Sequence, residues 1–239
     1  MLETIEEMIE QLTRARINEQ AVNIERTYFY KTDKKVNPRQ ENPFKVFPGR
    51  IPILVSAPHA VRHERDRKIK KSDEFTGSIA YLLNQLTGCY SLAVSKLYGG
   101  DPNVDSPCIY KELLASLCRE HKITLVLNLH GAAREHDFDI DIGSREGRSL
   151  LGQNKVLTLL TEQLTSAGLK NISQNYFPAK GINTITNFTS RELGIPALQL
   201  EINRKYRVPA QNPQDFTRLL AGLARFVTLV GGEQPGRKR

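Results

Sequence analysis

Three apolar runs, each carrying or leading into a residue of catalytic type, constrain this chain more than any other feature. They are Ile51-Pro-Ile-Leu-Val-Ser-Ala-Pro58, Ile123-Thr-Leu-Val-Leu-Asn-Leu129 and Ala197-Leu-Gln-Leu-Glu-Ile202. Each is nearly continuous in apolar residues, as a strand buried on both faces must be. His59 follows the first run, His130 follows the second, and Glu201 lies inside the third. Between the runs, apolar residues recur at helical spacing, as in Ile79, Leu82, Leu83 and Leu86 before Gly88. Strands alternating with helices predict an α/β fold, with a mostly parallel or mixed central sheet and helices on both faces. Ligands of such sheets bind at the carboxyl ends of the strands.

The remaining elements read from the same signals. Residues 2–19 predict one amphipathic helix, residues 27–30 a short strand, and residues 32–50 a proline-rich loop or edge excursion. A strand is expected at 90–95, a loop at 99–105, a helix at 107–120 and a short strand at 137–142. A helix is expected at 149–166, a strand or extended segment at 182–188, and a last helix at 212–230. No linker divides the chain. Residues 1–230 read as one domain and residues 231–239 as a flexible basic tail.

No run approaches the eighteen or so apolar residues of a membrane helix, and the acidic start Met1-Leu-Glu-Thr-Ile-Glu-Glu7 lacks the features of a signal peptide. A cytoplasmic protein is expected. Cys89, Cys108 and Cys118 are odd in number and form no C-x-x-C pair, so free, mostly buried thiols are expected. The net charge of +8 owes much to the run Arg65–Lys71 and to Arg237–Arg239. A solvated surface that also attracts small anions accounts for it. The basic positions carry no RNA-binding signature, so nucleic acid is not the expected partner.

His59 and His130 should project from one edge of the sheet. Catalytic zinc takes three protein ligands and leaves a position open, and two histidines with one carboxylate suffice. Asp73, at the entrance of the helix over 74–87, is the expected third ligand, with Glu74 as the alternative. Glu201, a carboxylate in an apolar strand, reads as a general base whose pKa is tuned by burial beside a cation. His63 and His136 read as loop residues and His121 as a helix end.

Val55-Ser-Ala-Pro-His59, Lys70-x-x-Asp73-x-x-Thr76-Gly77, Asn128-Leu-His130-Gly131 and Gln199-Leu-Glu201-Ile202 together resemble the N-formylglutamate amidohydrolase family, over roughly residues 51–207. That family is similar to the zinc carboxypeptidases and acylamino-acid hydrolases. The resemblance implies a zinc ion held by His59, Asp73 and His130, with Glu201 as the catalytic glutamate. It also implies that Asp101 and Asn103, in Gly-Gly-Asp-Pro-Asn, contact a small anionic substrate such as an N-acyl amino acid. Val104 stands where the family places an arginine, which leaves Arg134 or Arg204 to hold the substrate's anionic end. A metallocarboxypeptidase or deacylase of the same fold is the nearest alternative. A non-catalytic basic binding module is the alternative of another class.

Overall fold

The computed structural model of the protein describes residues 3–30 and 35–232. Helices α1 (Ile5–Arg14) and α2 (Ile17–Ile24) lead into a π-helical turn (Glu25–Phe29). Strands β1 (Phe44–Phe47) and β2 (Ile51–Ala57) follow, then a hairpin of β3 (His63–Arg65) and β4 (Lys68–Lys70), helix α3 (Thr76–Thr87) and strand β5 (Cys89–Val94). The chain continues through α4 (Ile109–Glu120), β6 (Leu125–Ala132), β7 (Ile140–Gly143), α5 (Lys155–Ser166) and β8 (Ile172–Gln174). It ends with α6 (Ile185–Glu192), β9 (Ala197–Asn203), α7 (Arg204–Arg207) and α8 (Pro213–Gly232).

The main sheet has seven strands in the order β1-β5-β2-β6-β9-β7-β8. Its centre, β5-β2-β6-β9, is parallel, and β1 and β7 run antiparallel to their inner neighbours. The three apolar runs are adjacent central strands, with Ile53, Leu54, Val55, Val126, Leu127, Leu198 and Leu200 fully buried. Successive side chains of a strand face opposite ways. Ser91, paired with Val55, donates to the main chain of α3 at Ala80. Ser56, one residue on, meets Tyr110 of α4. Helices therefore cover both faces, as the alternation of elements predicts.

Several boundaries differ from expectation for physical reasons. The helix expected at 2–19 is two helices, because Arg16 takes a left-handed conformation (φ 52°). Leu12 and Ile17 are five residues apart, which a continuous helix of 3.6 residues per turn places on different faces; the break buries both. Residues 27–30 carry aromatic, strand-like character but lie mostly in the π-helical turn, where Phe29 and Glu25 are both buried. Packing overrides strand propensity there. Residues 182–188 give way to helix α6, started by Thr184, whose hydroxyl accepts from the Asn187 amide. The helix expected from 149 begins at Lys155, since Leu151 and Gly152 both have positive φ. Gly231 and Gly232 belong to α8 rather than to a tail. Residues 233–239, expected to be a flexible tail, lie outside the described residues, as do Met1, Leu2 and residues 31–34. The basic run after His63 is ordered as the β3–β4 hairpin. Asp66 and Arg67 (φ 53° and 59°) make its turn, as two-residue hairpins require. All three cysteines are free, Cys89 and Cys118 being buried.

One buried carboxylate positions the start of α3. Phe75 precedes that helix at φ 67°, a conformation unfavourable for a bulky residue. Its amide donates to Glu25 Oε1 (3.0 Å), and Ser78 Oγ donates to Oε2 (2.6 Å). Burial outweighs these two bonds and pushes the Glu25 carboxyl up to about 7. A raised acid contributes stability that is full below its unfolded pKa, near 4.5, and is lost as pH climbs through 7. The loss should be on the order of 3 kcal/mol. Glu25→Gln is expected to remove that slope. Denaturant unfolding at pH 4.5 and pH 7.5 measures it, and an unchanged slope in the variant would rule out Glu25 as its source.

A candidate metal centre at the carboxyl ends of the central strands

His59 stands two residues past the end of β2, and its carbonyl accepts the Asp73 amide at 2.8 Å. That bond returns the chain after the β3–β4 hairpin and sets Asp73 beside the strand end. Asp73 does not cap α3; its carbonyl accepts from the Thr76 amide and hydroxyl, which frees the carboxylate to face the histidines. His130 lies within β6, not after it, and its ring centre is 4.8 Å from that of His59. Asp73 Oδ2 is 3.4 Å from His59 Nδ1 and 3.3 Å from His130 Nδ1. Both rings are buried.

Each ring is held from behind. His59 Nε2 is 2.8 Å from Asp101 Oδ1. A carboxylate there takes an N–H, so Nε2 carries a hydrogen, and the Nδ1 edge of the ring faces Asp73. His130 Nε2 is 2.9 Å from the side-chain amide of Asn128, two residues back on the same face of β6. Burial opposes a charge on His59, but hydrogen bonds to Asp101 and Asp73 outweigh it and hold the ring up at about 9. Burial likewise opposes ionisation of Asp73, yet His130 and His59 keep its carboxyl well below the usual range. A pocket that binds a proton this firmly offers the same negative field to a metal cation.

Glu201 pairs in register with His130 on one side and Asp141 on the other. It is half-buried, and Gln199 Nε2 donates to its Oε1 at 3.0 Å. Burial raises the carboxyl of Glu201; the nearby His130 ring pulls the other way. Asp141 is fully buried and saturated by Ser173 and the amides of Tyr176 and Phe177.

The other expected positions stand back from the imidazole pair. Asp101 is fully buried, its oxygens taken by His59, the Asn103 amide and Arg65 Nε (2.5 Å). Its carboxylate supports His59 and is not turned toward a substrate. Asn103 Oδ1 accepts the Ile185 amide at the start of α6. Glu74 is turned to Arg204, at 2.9 Å from Nη2, so Asp73 is the acid between the rings. Arg134 lies exposed in the loop after β6.

Residues that the sequence did not single out complete the setting. His63 is buried, not a surface loop residue. It stacks on His59 with ring centres 3.8 Å apart, and burial first, then the His59 charge, lower its pKa to about 4. Arg207 is buried against Gly131, where an added Cβ would lie 2.5 Å from the guanidinium carbon. It reaches the carbonyls of Glu74 and Ala132. Only the glycine after His130 hinted at this passage.

Two groups of side chains could hold a metal ion among the described residues: His59, Asp73 and His130, and His59, His63 and Asp101. The second is opposed by Arg65, whose guanidinium already sits on the only carboxylate. The first fits zinc: two imidazole nitrogens and one carboxylate oxygen converge within 4.8 Å of one another, on the side of the rings away from their supports. No family model and no curated protein sequence matches the chain. Among solved structures, a gene product of Agrobacterium tumefaciens superposes with a TM-score of 0.56 at 9% identity, over 84% of this chain and all of that one. N-formylglutamate amidohydrolase from Ralstonia eutropha JMP134 superposes with a TM-score of 0.59 at 15% identity, over 80% of this chain and 98% of that one. At these identities the likeness is one of fold: this chain shares the α/β fold of those two proteins.

Proposed function

We propose that this chain is a metal-dependent amidohydrolase acting on a small anionic N-acyl amino acid or peptide-like substrate. Zinc is held by His59, Asp73 and His130, and Glu201 is the general base. The observation that carries the reading is the meeting of two imidazole Nδ1 atoms on one Asp73 oxygen, at 3.4 and 3.3 Å. When bound, the cation supplies a Lewis acid that acidifies water and polarises an amide carbonyl.

The chain's own residues do the rest. Asp101 fixes the tautomer and orientation of His59. Glu201 takes a proton from the attacking water on its carboxylate and passes it to the leaving nitrogen. Burial raises its carboxyl, the direction that suits a group that first takes and then returns a proton. Arg207, Arg204 and Arg65 lie around the site, the last two paired with Glu74 and Asp101, and are the positive groups available to an anionic substrate. Asn103 and an arginine, Arg204 or Arg134, hold the anionic end.

Elemental analysis of protein purified without chelator is expected to give one zinc per chain. A panel of N-acyl amino acids should be hydrolysed, with activity lost on chelation and restored by zinc. Cleavage of C-terminal peptides alone would instead favour the metallocarboxypeptidase reading. Metal-free protein with salt-dependent nucleic-acid binding would reject the enzyme altogether.

A further inference from the structure

The loop over 133–139 and strand β8 enclose a cleft of about 590 Å³, and nothing in the mechanism above uses it. Small-molecule sites span about 300–1,000 Å³. Two segments bring four rings together beside the cleft. His136 stacks on Phe138 with ring centres 5.0 Å apart, and it meets Tyr176 and Phe177 edge-on at 5.5 and 5.4 Å. Tyr176 and Phe177 meet each other at 4.9 Å. Phe138 is buried, whereas Tyr176 is 63% exposed. The Tyr176 hydroxyl has no hydrogen-bond partner among the described residues.

Two buried polar side chains hold these rings against the face of the sheet that carries Glu201. Register partners on neighbouring strands share a face, and so do residues two apart on one strand. His130, Glu201 and Asp141 are partners in register, so their side chains form one row. Asp141, next to Glu201 in that row, accepts the Tyr176 amide at 3.0 Å and the Phe177 amide at 2.9 Å. Asn203 follows Glu201 by two residues on β9. Its side-chain nitrogen donates to the carbonyls of His136 and Phe138, at 3.0 Å each. Both anchors are buried, and both stand within about 7 Å of Glu201 along the backbone. The ring wall is thus fixed beside the candidate general base, one strand over and one step beyond it.

The lining decides which end of a substrate enters. Glu135 and Asp137 line the cleft, and no lysine or arginine does. A carboxylate is repelled there, while an apolar ring gains stacking and burial. The neutral acyl end of an N-acyl amino acid meets that description, and its anionic end then points back toward the arginines. A formyl group is too short to touch the rings. We propose that the cleft is the acyl subsite and that the preferred substrate carries an aromatic acyl group. The proposal rests on the amidohydrolase reading above for the chemistry, but not for the binding.

Tyr176→Ala tests the wall and spares its anchors, because only the main chain of Tyr176 meets Asp141. In the wild type, kcat/KM for N-phenylacetylglutamate should exceed that for N-formylglutamate by a factor on the order of 10–100. The ratio should fall about 2–10-fold in Tyr176→Ala, the worth of one aromatic pair, and should persist in Tyr176→Phe. Binding is read separately, from aromatic 1H–13C spectra of the protein as purified. Titration with phenylacetamide should move the Tyr176 ring signals, and acetamide should not. A wild-type preference for the formyl substrate, or an unmoved ratio in Tyr176→Ala, would overturn the proposal. So would Tyr176 signals that answer to N-acetylglucosamine and not to phenylacetamide, which would make the cleft a sugar site. Tyr176 shifts with phenylacetamide in a protein that hydrolyses neither substrate would sink the hydrolase reading and leave the aromatic subsite standing.

Discussion

Glu201→Gln is expected to cut amide hydrolysis by about 10²–10⁴-fold, the range that a positioned general base contributes, while zinc stoichiometry and affinity stay within a few-fold of wild type. The two effects separate because Glu201 is not among the atoms that converge on Asp73. Its carboxylate sits one strand over, in register with His130. Glutamine keeps the volume and can still meet Gln199, so the strand should not move. The variant removes one property, the capacity to take a proton from water. Turnover and zinc content measured on one preparation make the check. Wild-type turnover would remove Glu201 from the mechanism. Loss of zinc along with activity would place it among the ligands instead.

Asp73→Ala is the second large effect, and it acts on a different quantity. Among the described residues Asp73 is the only carboxylate between the two imidazoles. Losing a ligand should weaken zinc more than the 10–100-fold that losing outer support costs, so dialysed protein should carry no stoichiometric zinc and no activity. The metal-free fold suffers too. His59 is held up at about 9 by Asp101 and Asp73 against its burial, and removing one partner of a buried pair costs about 3–5 kcal/mol. Part of that is spared here, because Asp101 remains on the other face of the ring. Denaturant unfolding of chelator-treated wild type and variant measures the difference. Equal stability and retained zinc would shift the third ligand elsewhere.

What the sequence made legible follows the long-range logic of buried strands. Three apolar runs forecast adjacent central strands because a continuous apolar strand has nowhere else to go. Residues at one end of those strands must then meet, as His59 and His130 do. Asp73 was legible from its place before α3, although its carboxylate turns to the rings and does not cap the helix. The backing residues were not. Asp101 resembled a substrate contact because its loop position is visible in sequence, while the direction of its side chain depends on His59 and Arg65. His63 is an ordinary histidine beside a basic run until the hairpin folds it under His59. Arg207 enters through the missing side chain of Gly131, which no spacing rule announces. The segments around Arg16, Tyr28 and Ile185 failed for one reason: local propensity there is weak, and what each must bury decides its conformation.

The two outermost strands also govern how this protein meets its own copies. β1 offers a four-residue border and β8 a three-residue one, and Pro43 and Pro48 bracket β1 at both ends. Proline has no amide hydrogen to give, so a further strand laid against that border stops within a few residues. A sheet this apolar at its middle is thus guarded from lengthwise stacking into fibrils by brevity, by proline and by the exposed Lys45 of β1. Extending either border is the change that would expose it to aggregation.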